Sequence, residues 1–422
     1  MQALKWLKRL NVLGAGLAAI LLALPGNCAD AESAQVETIE TPETVETAKP
    51  VEMVETPHHF DLYGEIVTML QGGYDAAGKA GLSAPTRLRL ELTTNILPGQ
   101  LSFVTRAIAA AGAFNLGNGE LVPINLMATV ASRNNEPGRP NLMLDKAHFQ
   151  WKPLNELELE FGLMNLFNHE IRGQGFDNNA GTSEESRCFT SGHFIGALAP
   201  GKYFLPSLAP SLYALTARYD PFDFLSLKAG LATSDPANLL QLNISSEEAR
   251  AQAFNSAMLQ LTGSFSPFDL PGHYRLGYGL VTRPPLSGES LTPGNAGYFN
   301  FDQKIHSNLL VFGRYSLAQD NATNRAVPFD GIQQHIQIGL GYASGAGIPF
   351  IADDYAAIGF SAAQPFAGGD GDTFEKVIEV FWRHKLFERF SLTPDLQLVI
   401  HPQGKSASPI QTIAALRAFY EF

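Results

Sequence analysis

The side chains with the most chemical capacity in this sequence are carboxylates and guanidinium groups, and they recur two residues apart. Glu158 and Glu160 sit in the run Glu156-Leu157-Glu158-Leu159-Glu160-Phe161, and Arg87, Arg89 and Glu91 interleave with Leu88, Leu90 and Leu92. A carboxylate pair is the equipment of a glycoside hydrolase, where one group protonates the leaving oxygen and the other attacks or activates water. At a spacing of two, both groups project from one face of an extended strand, with apolar residues on the other. A charged wall is therefore the simpler reading. The chain holds no G-x-S-x-G elbow and no H-E-x-x-H pair, and His58-His59 is adjacent rather than metal-spaced. No enzyme activity, metal or cofactor is expected. Such a wall can hydrogen-bond hydroxyl-rich solutes, because guanidinium forks donate and carboxylates accept.

The elements that carry these charges are strands. From His58 onward the pattern has period two. Leu392, Pro394, Leu396, Leu398 and Ile400 share one face, opposite Asp395, Gln397 and His401. About sixteen such runs occur, where a strand needs about 9–11 residues to cross a bilayer. Short connections at 97–100, 153–156, 220–223, 267–272, 306–307, 344–353 and 385–389 alternate with long ones. The long ones are 71–85, 114–141, 166–210, 233–256, 283–296, 318–331, 364–373 and 401–410. A soluble sandwich also alternates, but strict short–long alternation of the connections between an even number of strands is the habit of an outer-membrane barrel, with periplasmic turns and external loops. The expected fold class is all-β: a transmembrane antiparallel β-barrel of 16 strands over 58–422, both ends in the periplasm. Residues 120–132 look strand-like, but counting them would break the parity.

Composition agrees. The 422 residues are 45% hydrophobic and only 17% charged, with 39 Gly, 28 Phe and 26 Pro. After the N-terminus no apolar stretch is long enough for a membrane helix. A net charge of −12 disfavours nucleic acid as a partner, and two cysteines cannot make a disulfide framework. Lys5, Lys8 and Arg9, the apolar run 12–24 and Ala29-Asp30-Ala31 form a secretory signal peptide, residues 1–31. Cleavage there removes Cys28 and leaves Cys188 alone. Residues 32–57, with seven Glu and one Lys, read as an acidic Glu/Thr/Pro periplasmic linker that cannot bury enough surface to order itself.

The last strand places Leu416, Ala418, Tyr420 and Phe422 on one face and Arg417, Phe419 and Glu421 on the other. An aromatic-ended final strand looks like the assembly signal of bacterial outer-membrane proteins, and Tyr420 and Phe422 suit an interfacial aromatic girdle. Further segments carry a family resemblance. LPSLAPSL at 205–212, followed by Tyr219-Asp220-Pro221, LPGHYRLG at 270–277, ADDYAAIGFS at 352–361, TPDLQLVIHPQ at 393–403 and Leu416-Arg417 occur in this order. Together they resemble the OprB-type carbohydrate-selective porin family over most of residues 200–422, with His401 where that family usually has Asn. The resemblance implies a sixteen-stranded pore, monomeric or trimeric, passing sugars by diffusion. It also implies that loops 114–141 and 166–210 fold inward and narrow the pore.

If each apolar face meets lipid, the opposite face lines the lumen. That assigns Arg87, Arg89, Glu91, Glu158, Glu160, Arg218, Lys228, Arg275, Arg314, Glu379, Arg383, Asp395, Gln397 and Arg417 to the pore, since Arg or Lys on the lipid face near the midplane costs about 2–4 kcal/mol. Many of these must also pair with one another. In the 166–210 loop, Arg172, Arg187 and His193 are candidates for a constriction, and Phe176, Phe189 and Phe194 either stack on sugar rings or pack. The expected partners are small sugars, outer-membrane lipid and the outer-membrane assembly machinery.

Overall fold

The computed structural model describes residues 60–74, 80–84, 86–111, 141–164, 212–234, 254–282, 294–319, 332–344, 354–365 and 373–422, together with Phe176, Phe189, Ser191 and Phe194. The signal peptide, the acidic linker, the 114–141 loop up to residue 140, Arg172, Arg187, Cys188 and His193 lie outside the described residues. Among those described, no helix is long and apolar enough to cross a membrane.

The described residues form sixteen antiparallel strands in one closed sheet. They are β1 (Phe60–Tyr74), β2 in two pieces (Ala80–Ser83 and Thr86–Leu97), β3 (Leu101–Ala111), β4 (Asn141–Leu154), β5 (Leu157–Met164), β6 (Leu212–Phe222), β7 (Leu225–Ser234) and β8 (Phe254–Phe265). The second half continues with β9 (Gly272–Thr282), β10 (Gly294–His306), β11 (Leu309–Gln319), β12 (Ile332–Ala343), β13 (Tyr355–Pro365), β14 (Glu375–Phe387), β15 (Phe390–Ile400) and β16 (Gln411–Glu421). Each strand pairs with its sequence neighbours, and β16 pairs back onto β1 from Glu65↔Glu421 to Gly73↔Ile413. Closure removes the open edges that a flat sheet would expose.

Short turns join the strands at one end. Residues 97–100 form the tightest kind: Gln100 N donates to Leu97 O at 2.9 Å, Pro98 presets the first corner, and Gly99 supplies the left-handed second one at φ 72°. Several turns are shorter than their sequences suggest, because β6 runs on to Phe222 and β14 to Phe387. The first long loop also contracts. Its residues Gln71–Tyr74 and Ala80–Ser83 pair as a ladder, leaving only 75–79 between them.

Local irregularities follow from residue type. The β14–β15 ladder runs to Phe381↔Asp395 and resumes at His384↔Leu392. The lapse brackets Pro394, which has no N–H to give. In β4 the partner of Arg106 is Lys146 but the partner of Ala107 is Leu144, so Asp145 is an extra residue and the strand changes parity there.

Outward side chains are apolar and exposed, among them Leu215, Leu231, Leu259, Leu276, Ile338, Ile358, Val380 and Leu396. Aromatic rings gather near the short turns. Phe103–Phe149 (4.9 Å), Phe149–Phe161 (5.1 Å), Phe222–Phe224 (5.4 Å), Phe265–Tyr274 (6.0 Å) and Tyr420–Phe422 (6.1 Å) are neighbouring pairs in this belt. Girdles of aromatic rings of this kind belong at a membrane–water interface.

Candidate functional site

The buried face of the barrel is polar, and the charged and amide residues singled out above fall on it in two groups. Arg87, Arg89, Glu160, Lys228, Arg314, Glu379, Asp395, Gln397 and Arg417 are buried. Glu91, Glu158, Arg275 and Arg383 keep part of their surface open, and the Arg218 side chain is 44% exposed.

Most of the buried group holds the wall together. Glu65, which sequence reading did not single out, accepts from Arg87 Nη2 at 3.0 Å and Arg89 Nη1 at 3.1 Å, and from the Tyr63 hydroxyl at 3.1 Å. Register places it there, since Glu65 lies directly opposite Arg89. Glu91, Arg106 and Lys146 form a row across β2, β3 and β4. The Glu160 carboxylate accepts from Thr216 Oγ1 at 2.8 Å and Gln150 Nε2 at 3.2 Å, with Lys228 Nζ at 4.0 Å and His148 Nε2 at 3.9 Å. Gln397 Nε2 donates to Asp395 at 2.9 Å.

The partly open group lies toward the short turns. Glu158, Arg218 and Lys228 face one another across β5, β6 and β7. Lys152 Nζ is 3.5 Å from Glu158, and Arg218 Nε is 3.0 Å from Asp220. Asp302 is shared by Arg275 Nη1 at 2.7 Å and His273 Nδ1 at 2.7 Å, and the His273 side chain is 41% exposed. Arg383 lies 5.7 Å over the ring of Tyr355, directly across the β13–β14 ladder. Both charge signs thus remain accessible near one mouth of the barrel.

The long segment 166–210 sends four described residues inside. Phe176, Phe189, Ser191 and Phe194 are buried. Phe189 and Phe194 stack at 4.2 Å, and Phe189 meets Phe381 edge-on at 4.9 Å and Phe312 at 5.6 Å. Val377, Val399, Ile413 and Ala357 complete this apolar cluster on the inner wall. The Ser191 N–H donates to Glu379 Oε2 at 3.0 Å. Arg314 Nη1 donates to Phe194 O at 3.3 Å and to Gln337 Oε1 at 2.7 Å. Phe176 lies against β7, with Lys228 Nζ 5.1 Å from its ring centroid. Glycines supply the room: a Cβ at Gly359 would collide with the rings of Phe194 and Phe189, one at Gly339 with Phe312, and one at Gly230 would stand 3.0 Å from Phe176. With no exposed surface, these phenyl rings pack and do not offer a face to solute.

The carbohydrate-selective porin, OprB family, is matched by residues 147–422. The chain belongs to that family. Solved structures agree on the fold of this porin. OprB of Pseudomonas putida, in its high-pH structure, superposes with a TM-score of 0.67 at 17% identity, covering 86% of this chain and 94% of that one. OmpF of Salmonella typhi in complex with daunomycin gives 0.56 at 13%, covering 86% and 97%. A loop-deletion mutant of OmpT from Vibrio cholerae gives 0.53 at 13%, covering 87% and 100%. No curated protein matches the porin by sequence.

Proposed function

We propose that this outer-membrane porin passes small sugars by passive diffusion through a water-filled lumen, and that its partly open charges make the solute contacts. The observation that carries this reading is the division of the inner wall. Glu91, Glu158, Arg218, Arg275 and Arg383 combine inward orientation with open surface, and they offer both donors and acceptors. Sugars present many hydroxyls of both kinds, so a mixed wall can exchange hydrogen bonds with them along the path at little net cost. The buried members, from Arg87 to Arg417, act as wall structure that fixes the shape and field of the lumen.

The remaining assignments fit this reading. Residues 1–31 direct secretion, 32–57 form an acidic periplasmic tract, and 58–422 form the barrel. Tyr420 and Phe422 act in assembly by the outer-membrane machinery, and the aromatic belt meets lipid headgroups. One chain closes its own barrel, so a single copy is a complete channel whether it stands alone or in a homotrimer.

Liposome swelling tests the reading. Purified porin is reconstituted and challenged with a sugar series and with amino acids matched in size. Faster swelling with monosaccharides than with amino acids of equal size is expected. Swelling that follows solute size alone would make the channel a general small-solute porin. No swelling would make it a mainly structural barrel.

A further inference from the structure

We propose that the inner wall at the short-turn mouth carries a site for the hydroxyls of a neutral sugar, in which His273 is the solute contact and Asp302 its positioning residue. The proposal deepens the sugar-porin reading above and rests on it.

Register assembles the site. On β8, Thr262 and Ser264 alternate with the exposed outward Leu261 and Phe265, so their hydroxyls face the lumen. Ser264 lies opposite His273 on β9, and Thr262 opposite Arg275. On the other side, β10 places Asp302 opposite His273 and Asn300 opposite Arg275. Ser226 on β7 extends the row beside Thr262.

The position of one proton decides what His273 offers. A carboxylate only accepts, so the 2.7 Å contact between His273 Nδ1 and Asp302 Oδ2 puts the ring proton on Nδ1. In the neutral imidazole, Nε2 is then the bare acceptor. No hydrogen bond reaches Nε2 among the described residues, and the side chain keeps 41% of its surface open. Arg275 holds the carboxylate from its other oxygen, donating to Asp302 Oδ1 at 2.7 Å and to Asn300 Oδ1 at 3.1 Å. Thr262 Oγ1 accepts from Gln260 Nε2 at 3.2 Å, which leaves its own O–H to donate. The Arg275 and Asp302 charges offset each other, and what remains open is an imidazole acceptor beside hydroxyls. That suits a solute with many hydroxyls and no charge of its own, whose O–H donates to Nε2 while its oxygens accept from the β8 side. The charged groups around the ring are Asp302 and Lys304 on β10, Arg275 on β9 and Asp269 in the turn before β9; β8 faces it with hydroxyls.

Uptake of labelled glucose into proteoliposomes is measured over graded concentrations for wild type, His273→Ala and Ser264→Ala, with an amino acid of matched size in parallel. Reversal potentials in a salt gradient are read at about pH 8 and about pH 5, the span over which an imidazole gains its charge. Asp302 keeps Arg275 in both variants, so the ion pair in the wall survives. Wild-type glucose uptake should saturate. His273→Ala should raise the half-saturation concentration about 3- to 10-fold, the loss of one hydrogen bond, and Ser264→Ala about 2- to 5-fold. Amino-acid uptake should stay at the wild-type rate in both. Acid should move the wild-type channel toward anions, and His273→Ala should lose part of that shift, because the ring charge borders the pore solution. The site is overturned if both variants keep the wild-type half-saturation, if amino-acid uptake changes in step with glucose, or if the acid shift survives intact in His273→Ala. Wild-type glucose uptake that stays proportional to concentration overturns the site and leaves the sugar-porin reading standing. No glucose uptake in wild type removes that reading, and the site with it.

Discussion

Gly64 and Phe422 exchange both of their backbone hydrogen bonds, at 3.0 and 2.9 Å, and the Phe422 ring covers the bare Cα of Gly64 on the outer face. This is the seam where β16 meets β1. Phe422→Asp removes the ring and places a charge at the lipid rim. Gly64→Val fills the space the ring occupies, an overpacking that costs about 1–3 kcal/mol. Both variants should lower the folded, heat-modifiable fraction in the outer membrane. Conductance per inserted channel should stay at the wild-type value, because neither residue faces the lumen. Normal insertion with altered conductance would refute the assignment.

Glu65 pairs with both Arg87 and Arg89 in a place with almost no exposed surface. Removing one partner of a buried ion pair typically costs about 3–5 kcal/mol, since the remaining charge loses compensation in a desolvated place. Glu65→Ala should therefore lower the denaturant midpoint of the purified barrel more than Arg87→Ala does, because it takes the shared carboxylate from two cations, whereas Arg87→Ala leaves Glu65 its contact with Arg89. Equal losses would mean that the three side chains do not act as a unit.

Arg383 and Trp382 face opposite ways. Trp382 is 47% exposed on the outer side, where its indole Nε1 donates to Asp354 at 2.9 Å, while Arg383 lies over Tyr355 inside. A cysteine at 383 should react with a water-soluble thiol reagent, and one at 382 should be protected by lipid. Arg383→Ala should weaken sugar block and move ion selectivity modestly toward cations. The shift should be clearest at low ionic strength, because screening acts within about 8 Å at physiological salt. An unchanged reversal potential together with unchanged sugar block would leave Arg383 as wall structure only.

Gly359 has no room for a side chain beneath Phe194 and Phe189. Gly359→Val should lower the denaturant midpoint by the equivalent of about 1–3 kcal/mol. Adding Phe194→Ala should return part of that loss, since the valine then occupies the vacated space. Strictly additive losses would show that the ring and the glycine are not in contact.

Strands were legible wherever apolar and charged residues alternate strictly, as in Thr86–Asn95 and 392–400, because period two is a direct image of a two-sided wall. The seven short turns and eight loops followed from the same pattern. Glycine hid the ladder formed by Gln71–Tyr74 and Ala80–Ser83, since a Gly-rich run reads as a loop until a partner strand supplies the pairing. Lys146 was hidden by the bulge at Asp145: counting by twos from Leu144 puts it on the lipid side, and one extra residue turns it inward. Glu65 and Arg106 sit in otherwise apolar or small-residue runs and carry no pattern of their own. The grip of Glu379 on Ser191 joins residues 188 positions apart, and no local period encodes such a contact. The 166–210 aromatics were visible as a cluster, but whether they pack or stack on solute was decided by their burial.

The pairing of β1 with β16 also governs how the molecule can be made. Glu65 pairs with Glu421, and Gly73 with Ile413, across nearly the whole length of the described barrel chain. Until that pairing forms the first and last strands are open templates, and closing a loop of that length is entropically slow. A chain that stalls short of the seam keeps two raw edges, and such edges template aggregation rather than a smaller channel.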